Sequence, residues 1–421
     1  MRPTLILALG LALLLAPSPR AHDIVQVTDD AYLNYMPSLI ERGDGALMIA
    51  YERLDASFEN GDIMVTVSAD GAAWGTPTPA VEGPGNDRHP ALVQMDDGSY
   101  QLYYLSDETG GYRVHRAGSP DGAAWTPEGV VDLGWTTEQL VNPTVCREAD
   151  GSLTMTYDYL SNGGYVAHSE DGVSWDHGRT NVSDGSLNRV TRHSDGTYVV
   201  SYQKRTGIYY WQIDVFTRTS SDRVSWSPET RVTTNQNSHD SFPIELADGQ
   251  YALYYAKSVG GAPYDLYSVA SGDGAAWHTE ENWLPYAGWD TQPHPVRLSS
   301  GLIAVAWARG PAQADTEVHF ALVEPPTDAP AAAIATEPAL SLSPNPFRDR
   351  VEIDAGDADV AACAIYDAGG RLVRSLDPRA TDGRVVWDGA DHAGRPVAAG
   401  IYFLRATTPG GLATAKIVLL R

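Results

Sequence analysis

A seven-residue motif recurs five times at a nearly constant interval: SADGAAW (68–74), SPDGAAW (119–125), SEDGVSW (169–175), SSDRVSW (220–226) and SGDGAAW (271–277). Its tryptophans, Trp74, Trp125, Trp175, Trp226 and Trp277, stand 50 or 51 residues apart. A fixed period of this length means that each unit is one supersecondary element, which buries its apolar face against its neighbours. A second repeat interleaves with the first. It starts at Met36, His89, Asn142, Asn188, Phe242 and His294 and ends in an aromatic at Tyr51, Tyr104, Tyr157, Tyr202, Tyr255 and Trp307. Each copy is an apolar strand, an Asp-Gly or Ser-Gly turn and a second strand, and Asp-Gly supplies the positive φ that a tight hairpin needs.

One period therefore reads as strand, turn, strand, loop, strand, Ser-x-Asp-x-x-x-Trp turn, strand, which is the content of a propeller blade. Six hairpins against five tryptophan motifs leave the last unit one strand short. The segment Asp23–Thr28 resembles the missing strand, so it is expected to complete the sixth blade and close the ring, which removes an exposed edge. The expected fold is all-β: a six-bladed β-propeller over residues 22–324, then a Pro/Ala-rich linker (325–338) and an Ig-like β-sandwich (339–421). In each motif the aspartates Asp70, Asp121, Asp171, Asp222 and Asp273 are expected to cap backbone amides of their own turn, and the tryptophans to pack between sheets, both structural tasks.

These motifs resemble the Asp-boxes of the sialidase (neuraminidase) superfamily, Ser-x-Asp-x-Gly-x-Thr-Trp, shortened by one residue between Asp and Trp. The resemblance covers about residues 22–324 and implies a sialidase-like propeller. The C-terminal elements Ser343-Pro-Asn-Pro-Phe347, Ala364–Arg374, Val386-Trp-Asp-Gly389 and Ala399–Arg405 resemble the FlgD-like Ig fold and the sorting domains of type IX secretion. That resemblance implies secretion machinery as a partner, with an ordinary adhesive Ig domain as the other reading.

Residues 1–21 carry Arg2 and the apolar run Leu5–Leu15, too short to span a bilayer and suited to a signal peptide. The expected localisation is secreted or cell-surface, with no membrane span after signal removal. A net charge of −25 disfavours nucleic acid as a partner. The two cysteines, Cys146 and Cys363, fall in different domains and are expected as small core residues rather than a disulfide. No metal-ligand spacing, phosphate loop or Ser/His/Asp order stands out, so no metal and no cofactor are expected.

In an antiparallel blade the Asp-Gly turns and tryptophan motifs share one face, so a site belongs on the opposite face. The residues entering each first strand there are Asn34 and Tyr35; Asp87, Arg88 and His89; Asn142; Asn188 and Arg189; His239 and Asp240; Asp290, Gln292 and His294. Those leaving each second strand are Glu52 and Arg53; Asp107; Asp158 and Tyr159; Gln203, Lys204 and Arg205; Lys257; and Arg309. Of these, Arg53, Arg88, Arg189, Arg205, His239, Asp240, His294 and Arg309 are the candidate substrate contacts. Arginine's planar fork suits carboxylates, and a cluster of arginines in so acidic a chain favours an anionic ligand. The sialidase resemblance implies that Arg53 contacts substrate and Asp62 is the acid/base; with no tyrosine nucleophile, catalysis is expected to use Asp62 or Glu52 with a second carboxylate such as Asp107 or Asp158. It also shows two departures: the family's Phe-Arg-Ile-Pro is Asn34-Tyr35-Met36-Pro37, and the nucleophilic tyrosine falls on Gln292.

Two functions fit. One is a glycan-active enzyme, a glycoside hydrolase or lyase on acidic sugars. The other is a non-catalytic glycan- or protein-binding propeller, with Tyr35, Tyr159, Tyr209, Tyr210 and Trp211 as stacking faces.

Overall fold

The computed structural model describes residues 24–326 and 341–420, apart from 136–138, 161–162, 178, 210, 235–236, 247–248, 279, 313–314, 355–361, 368–371, 377–384 and 409–410. The expected signal peptide, nearly all of the linker and Tyr210 lie outside the described residues. The chain divides into two compact units, 1–328 and 329–421. The described residues contain strands and no helix, hence no helix long and apolar enough to cross a membrane.

Among the described residues, the first unit holds six four-stranded antiparallel sheets. Sheet I is Leu33–Glu41, Leu47–Leu54, Gly61–Ser68 and Thr78–Val81. Sheet II is Arg88–Gln94, Tyr100–Ser106, Arg113–Ser119 and Thr126–Val130. Sheet III is Leu140–Arg147, Leu153–Tyr159, Gly163–Ser169 and Thr180–Ser183. Sheet IV is Ser186–Arg192, Tyr198–Arg205, Ile213–Ser220 and Thr230–Arg231. Sheet V is Asn237–Glu245, Tyr251–Ser258, Asp265–Ser271 and Glu281–Leu284. Sheet VI is Trp289–Arg297, Ile303–Ala312, Asp315–Val323 and, from the start of the chain, Val25–Gln26. The first strand of each sheet packs against the first strand of the next, and that of sheet VI against that of sheet I. This arrangement fits a propeller. As the repeat count anticipated, Val25 and Gln26 pair with Phe320 and His319.

An apolar cluster fills every sheet–sheet junction. Leu39, Ile49 and Phe320 join VI to I; Met48, Leu92 and Tyr104 join I to II; Tyr103, Met155 and Tyr157 join II to III. Val166, Val190 and Tyr202 join III to IV; Val215, Leu253 and Tyr255 join IV to V; and Phe242, Tyr254 and Trp307 join V to VI. The motif tryptophans sit in these seams, Trp74 edge-on to Phe320 and Trp175 edge-on to Tyr103. Each motif aspartate caps its own turn. Asp121 Oδ1, for example, accepts from the amides of Ala123 (2.8 Å) and Ala124 (3.0 Å), and the motif serine accepts from the amide that follows the aspartate.

The fourth motif puts Arg223 where the others have glycine. It keeps the left-handed backbone (φ 67°), and its guanidinium reaches Glu148, as does that of Arg192, each at 3.2 Å; Tyr198 donates to the same carboxylate at 2.7 Å. Glu148 is 7% exposed and ties sheet III to sheet IV. Replacing it with alanine strands two guanidiniums in a seam. Glu148→Ala is expected to lose about 3–5 kcal/mol, read from the shift of the urea midpoint; an unshifted midpoint would exclude this tie.

The second unit is a small β-sandwich. Strands Ser341–Ser343, Val351–Asp354 and Val385–Trp387 form one sheet, and Leu372–Leu376, Ala362–Asp367, Gly400–Thr408 and Gly411–Leu419 the other. Phe347, Ile353, Cys363, Ile365, Trp387, Leu404 and Ile417 fill the space between them. Cys363 is buried there, and Cys146 is half-buried in the first unit; both are free thiols.

Candidate functional site

The first strands of all six sheets line a channel of about 510 Å³. Each of these strands slips register near its start, between Tyr35/Ser38, Arg88/Ala91, Val141/Thr144, Ser186/Arg189, His239/Phe242 and Thr291/His294. At every slip a non-glycine residue takes positive φ: Met36 (45°), His89 (50°), Asn142 (56°), Leu187 (53°), Asp240 (55°) and Gln292 (59°). Such a backbone costs an L-residue about 1–3 kcal/mol, and residues held this way cluster at functional sites. Bonds from neighbouring sheets hold it here. The amide of Met36 donates to Gln292 Oε1 (2.9 Å), that of His89 to Glu52 Oε2 (2.8 Å), that of Leu187 to Asp158 Oδ2 (2.7 Å) and that of Asp240 to Gln203 Oε1 (3.0 Å). Three of these acceptors, Glu52, Asp158 and Gln203, hold one repeat position, directly after the aromatic that ends the second strand.

The bulges aim His89, Asp240 and Gln292 into the channel, beside Arg189 and His294. A polar chain runs round its mouth. Arg88 Nη2 lies 3.2 Å from Glu52, Glu52 holds the His89 amide, His89 Nδ1 meets Asn142 Oδ1, and Asn142 Nδ2 donates to Asp158 (2.7 Å). Asn188 closes the chain on Asp158 Oδ1 at 2.6 Å. Arg189 donates to Thr144 Oγ1 at 2.8 Å and has no carboxylate within ion-pair distance among the described residues. Burial dominates the electrostatics. It raises the carboxyls of Asp158 and Asp240 and lowers the imidazoles of His89 and His239. Burial, aided by the Arg189 charge, pushes His294 down to about 3. At the I–II junction, burial pushes Asp87 up to about 6, helped by the charges of Glu108, Asp62 and Asp107.

The structure separates the residues that the sequence groups together. Arg189, Asp240 and His294 line the channel. Asp158 and Arg205 line a second cavity of about 410 Å³ between sheets III and IV. Arg53 Nη2 is paired with Asp62 across neighbouring strands (2.8 Å), and its guanidinium lies over Tyr32. Arg309 grips Asp290 with two bonds of 2.7 Å and lies over Tyr286. Asp107 caps the Asn86 amide (2.8 Å), and His239 Nε2 meets Asn237 Oδ1 (2.6 Å). The five arginines expected at one opening thus divide: Arg189 lines the channel, Arg205 lines the second cavity, and Arg53, Arg88 and Arg309 each face a carboxylate of their own or a neighbouring sheet. Met36 and Leu187, which carry the strain, were not among the candidates. A proline follows four of the six bulge positions, at Pro37, Pro90, Pro143 and Pro293; it could have marked Met36, but Leu187 precedes Asn188 and carries no such signal.

The mouth can supply a carboxyl raised by burial (Asp240), a cation for an anion (Arg189) and imidazoles lowered by burial. Asn142 gives its Nδ2 to Asp158, so its Oδ1 accepts from His89 and the proton of that ring sits on Nδ1. His89 Nε2 is then the unprotonated ring nitrogen and lies 3.8 Å from Glu52. Gln292 Oε1 is engaged by the Met36 amide. No group of three or more His, Cys, Asp or Glu among the described residues is placed to hold a metal ion.

Residues 348–411 match the family model of the FlgD Ig-like domain. No curated protein sequence matches the chain. Solved structures share the fold of the first unit. A Dyadobacter fermentans protein of unknown function is 16% identical, with a TM-score of 0.59, over 72% of this chain and 98% of its own. The NanB sialidase of Streptococcus pneumoniae is 11% identical, with a TM-score of 0.56, over 71% and 70%. An α-L-arabinanase of Penicillium chrysogenum, complexed with arabinobiose, is 16% identical, with a TM-score of 0.54, over 72% and 97%. The neighbours are therefore sialidase and arabinanase-type propellers.

Proposed function

We propose that the first unit is a six-bladed, secreted propeller that binds an acidic glycan at the channel mouth and cleaves its glycosidic bond. The second unit then serves as an export address. The observation that carries this reading is the ring of six strained bulges, which turns His89, Asp240 and Gln292 onto one opening beside Arg189. Two of the fold neighbours named above, a sialidase and an arabinanase, act on sugars, which supports a glycan as ligand.

In this reading Arg189 takes the sugar carboxylate, bidentately and out of bulk water. Asp240, its carboxyl raised by burial, serves as the proton donor to the leaving oxygen. His89 Nε2 accepts a proton from water in a hydrolase, or from the carbon next to a uronate carboxylate in a lyase. A tyrosine-linked intermediate is excluded by Gln292. The test is a panel of acidic and neutral glycans against Arg189→Met and Asp240→Asn. A charged bond of about 1.5–3 kcal/mol predicts roughly ten- to hundredfold weaker binding for Arg189→Met. Asp240→Asn should keep binding and lose turnover. Equal affinity for acidic and neutral glycans would overturn the proposal. Binding without turnover in the unmodified protein would favour a non-catalytic lectin-like propeller. That second reading has its own support, since Glu52, Asp62, Asp107 and Asp158 all hold structural bonds. The same panel, run on a chain ending at Asp328, separates the address from the site.

A further inference from the structure

Asp158 follows Tyr157 at the end of the second strand of sheet III, and it is 4% exposed. Four donors meet its carboxylate. Oδ2 accepts from Asn142 Nδ2 (2.7 Å) and from the Leu187 amide (2.7 Å). Oδ1 accepts from Asn188 Nδ2 (2.6 Å) and from the Asn188 amide (3.3 Å). A carboxylate has about four acceptor positions, so Asp158 has none left for a substrate. Burial raises the carboxyl, and all of these bonds favour its charged form against that.

These bonds reach two groups of the channel mouth from opposite sides. Leu187 is the bulge residue of sheet IV, with φ of 53°, and lies two residues before Arg189. Bonds to the consecutive amides of Leu187 and Asn188 hold the bulge, and with it the point at which the strand delivers Arg189. Arg189 then meets Thr144 on sheet III at 2.8 Å. Asn142 is the bulge residue of sheet III (φ 56°), and it stands between Asp158 and His89. A carboxylate only accepts, whereas an amide side chain has one donating and one accepting end. Asp158 therefore draws Nδ2 of Asn142 to itself and turns Oδ1 to His89 Nδ1. A competitor for the ring proton stands close by: Glu52 is buried, and its Oε2 lies 3.8 Å from His89 Nε2. Were Asn142 to turn over, its Nδ2 would face the ring, and the ring proton would move to the Glu52 side.

We infer that Asp158 is a positioning residue for both halves of the mouth: through the amides of Leu187 and Asn188 it sets Arg189, and through Asn142 it sets the tautomer of His89. The consequence for turnover rests on the glycan reading of the mouth. The tautomer does not, because it is a property of the free protein.

The test reads the ring nitrogens of His89 by long-range proton–nitrogen NMR correlation of the full chain, isotope-labelled at histidine, with His89→Gln to assign the signals. Spectra are taken about one pH unit above the ordinary histidine value of about 6.5. The unmodified chain should carry the ring proton on Nδ1. Asp158→Asn should move it to Nε2, since the new amide group faces Asn142 and turns it over. Asn142→Leu leaves Asp158 its bonds to Leu187 and Asn188, and it too should release the proton to the Glu52 side. Hydrogen exchange of the Leu187 amide separates the two branches: it should quicken in Asp158→Asn and stay unchanged in Asn142→Leu. On an acidic glycan that is turned over, Asn142→Leu should lower kcat about a hundredfold at unchanged KM. Asp158→Asn should raise KM as well, because Arg189 loses its hold. A lower thermal midpoint with the tautomer unmoved would make Asp158 purely structural and overturn the inference. So would a proton on Nε2 in the unmodified chain, a result that needs no folded variant. A tautomer that moves as expected in a protein that turns over no glycan would overturn the function proposed above and leave the positioning role in place.

Discussion

A chain lacking residues 24–30 will melt at a lower temperature than the intact protein, and over a wider range. The reason lies in what this short segment touches. Val25 and Gln26 pair with Phe320 and His319, and the Val27 amide bonds to the Val318 carbonyl at 2.8 Å. Thr28 bridges two groups: its hydroxyl donates to Glu317 and accepts from the Val318 amide at 2.9 Å. Asp30 Oδ1 accepts from Asn34 Nδ2 at 3.1 Å, and Asn34 Nδ2 also donates to Glu317 at 2.8 Å. Without the segment, strand Asp315–Val323 becomes an open edge, the Val27 contact in the VI–I seam is lost and Glu317 loses a donor. Burial of one valine contributes about 1.5–3 kcal/mol, and a bond to a charged group about 1.5–3 kcal/mol. The sum, about 5 kcal/mol, is comparable to the whole stability of many domains. The transition broadens because a ring that has lost its closing strand opens locally at sheet VI before the rest. Differential scanning calorimetry reads both effects. Thr28→Val keeps the strand and removes only the bridge, so it should cost about 1–3 kcal/mol without broadening. An unchanged melting profile in the deletion would mean that closure contributes nothing.

That closure could be read from the sequence because it is a matter of counting. Six hairpins and five tryptophan motifs leave one strand to be found, and only the start of the chain offers it. The motifs themselves were legible for a local reason: Asp121 bonds to residues two and three positions ahead, within the window that a repeat exposes. Arg223 shows the limit of such reading. It departs from the glycine consensus, and its purpose is visible only when Glu148, 75 residues earlier, is seen beside it.

The candidate site was legible in part. Residues that enter the first strands were expected at the opening, and Arg189, Asp240 and His294 line the channel. What the sequence could not show is which polar groups are already spoken for. Glu52 meets the His89 amide 37 residues on, and Asp158 meets Leu187 29 residues on. Each pairing crosses from one repeat to the next, so neither spacing nor composition reveals it. Arg309 is similar: its partner Asp290 is 19 residues back on the same sheet, and Arg309 was expected as a substrate contact. The bulges were hidden for another reason. A proline after the bulge residue marks four of the six, but proline at the start of a strand has many ordinary uses.

Acid should destabilise the protein in two stages, the first beginning near pH 6.5. Six imidazoles, of His89, His115, His193, His239, His294 and His319, are lowered, in each case first by burial. His294 falls to about 3 and His319 to about 4. Below the ordinary histidine value of about 6.5 the unfolded chain takes up protons that the folded chain refuses, so stability drops as pH falls. Buried carboxyls act in the opposite direction. Asp87, raised to about 6, together with Asp158, Asp240, Asp290 and Glu317, binds protons in the folded state first and gains stability between about pH 6 and 4. The two sets oppose each other in that window. Below about pH 4 the motif carboxylates Asp121, Asp171, Asp222 and Asp273, held below their ordinary value by backbone amides, must be protonated, and their contribution goes too. Urea midpoints measured from pH 7.5 to 3 should therefore fall towards pH 6, level off, and fall again below about 4. His294 is enclosed in the channel, accepts from the Leu39 amide (3.2 Å) and lies against the Phe242 ring. Its share is separable. Between pH 7.5 and 5, His294→Gln should be less acid-sensitive than the unmodified chain by about 2 kcal/mol, from about 1.4 kcal/mol per pH unit. A single acid transition below pH 4, with His294→Gln parallel to the unmodified protein, would show that the channel histidines titrate freely and that water fills the mouth.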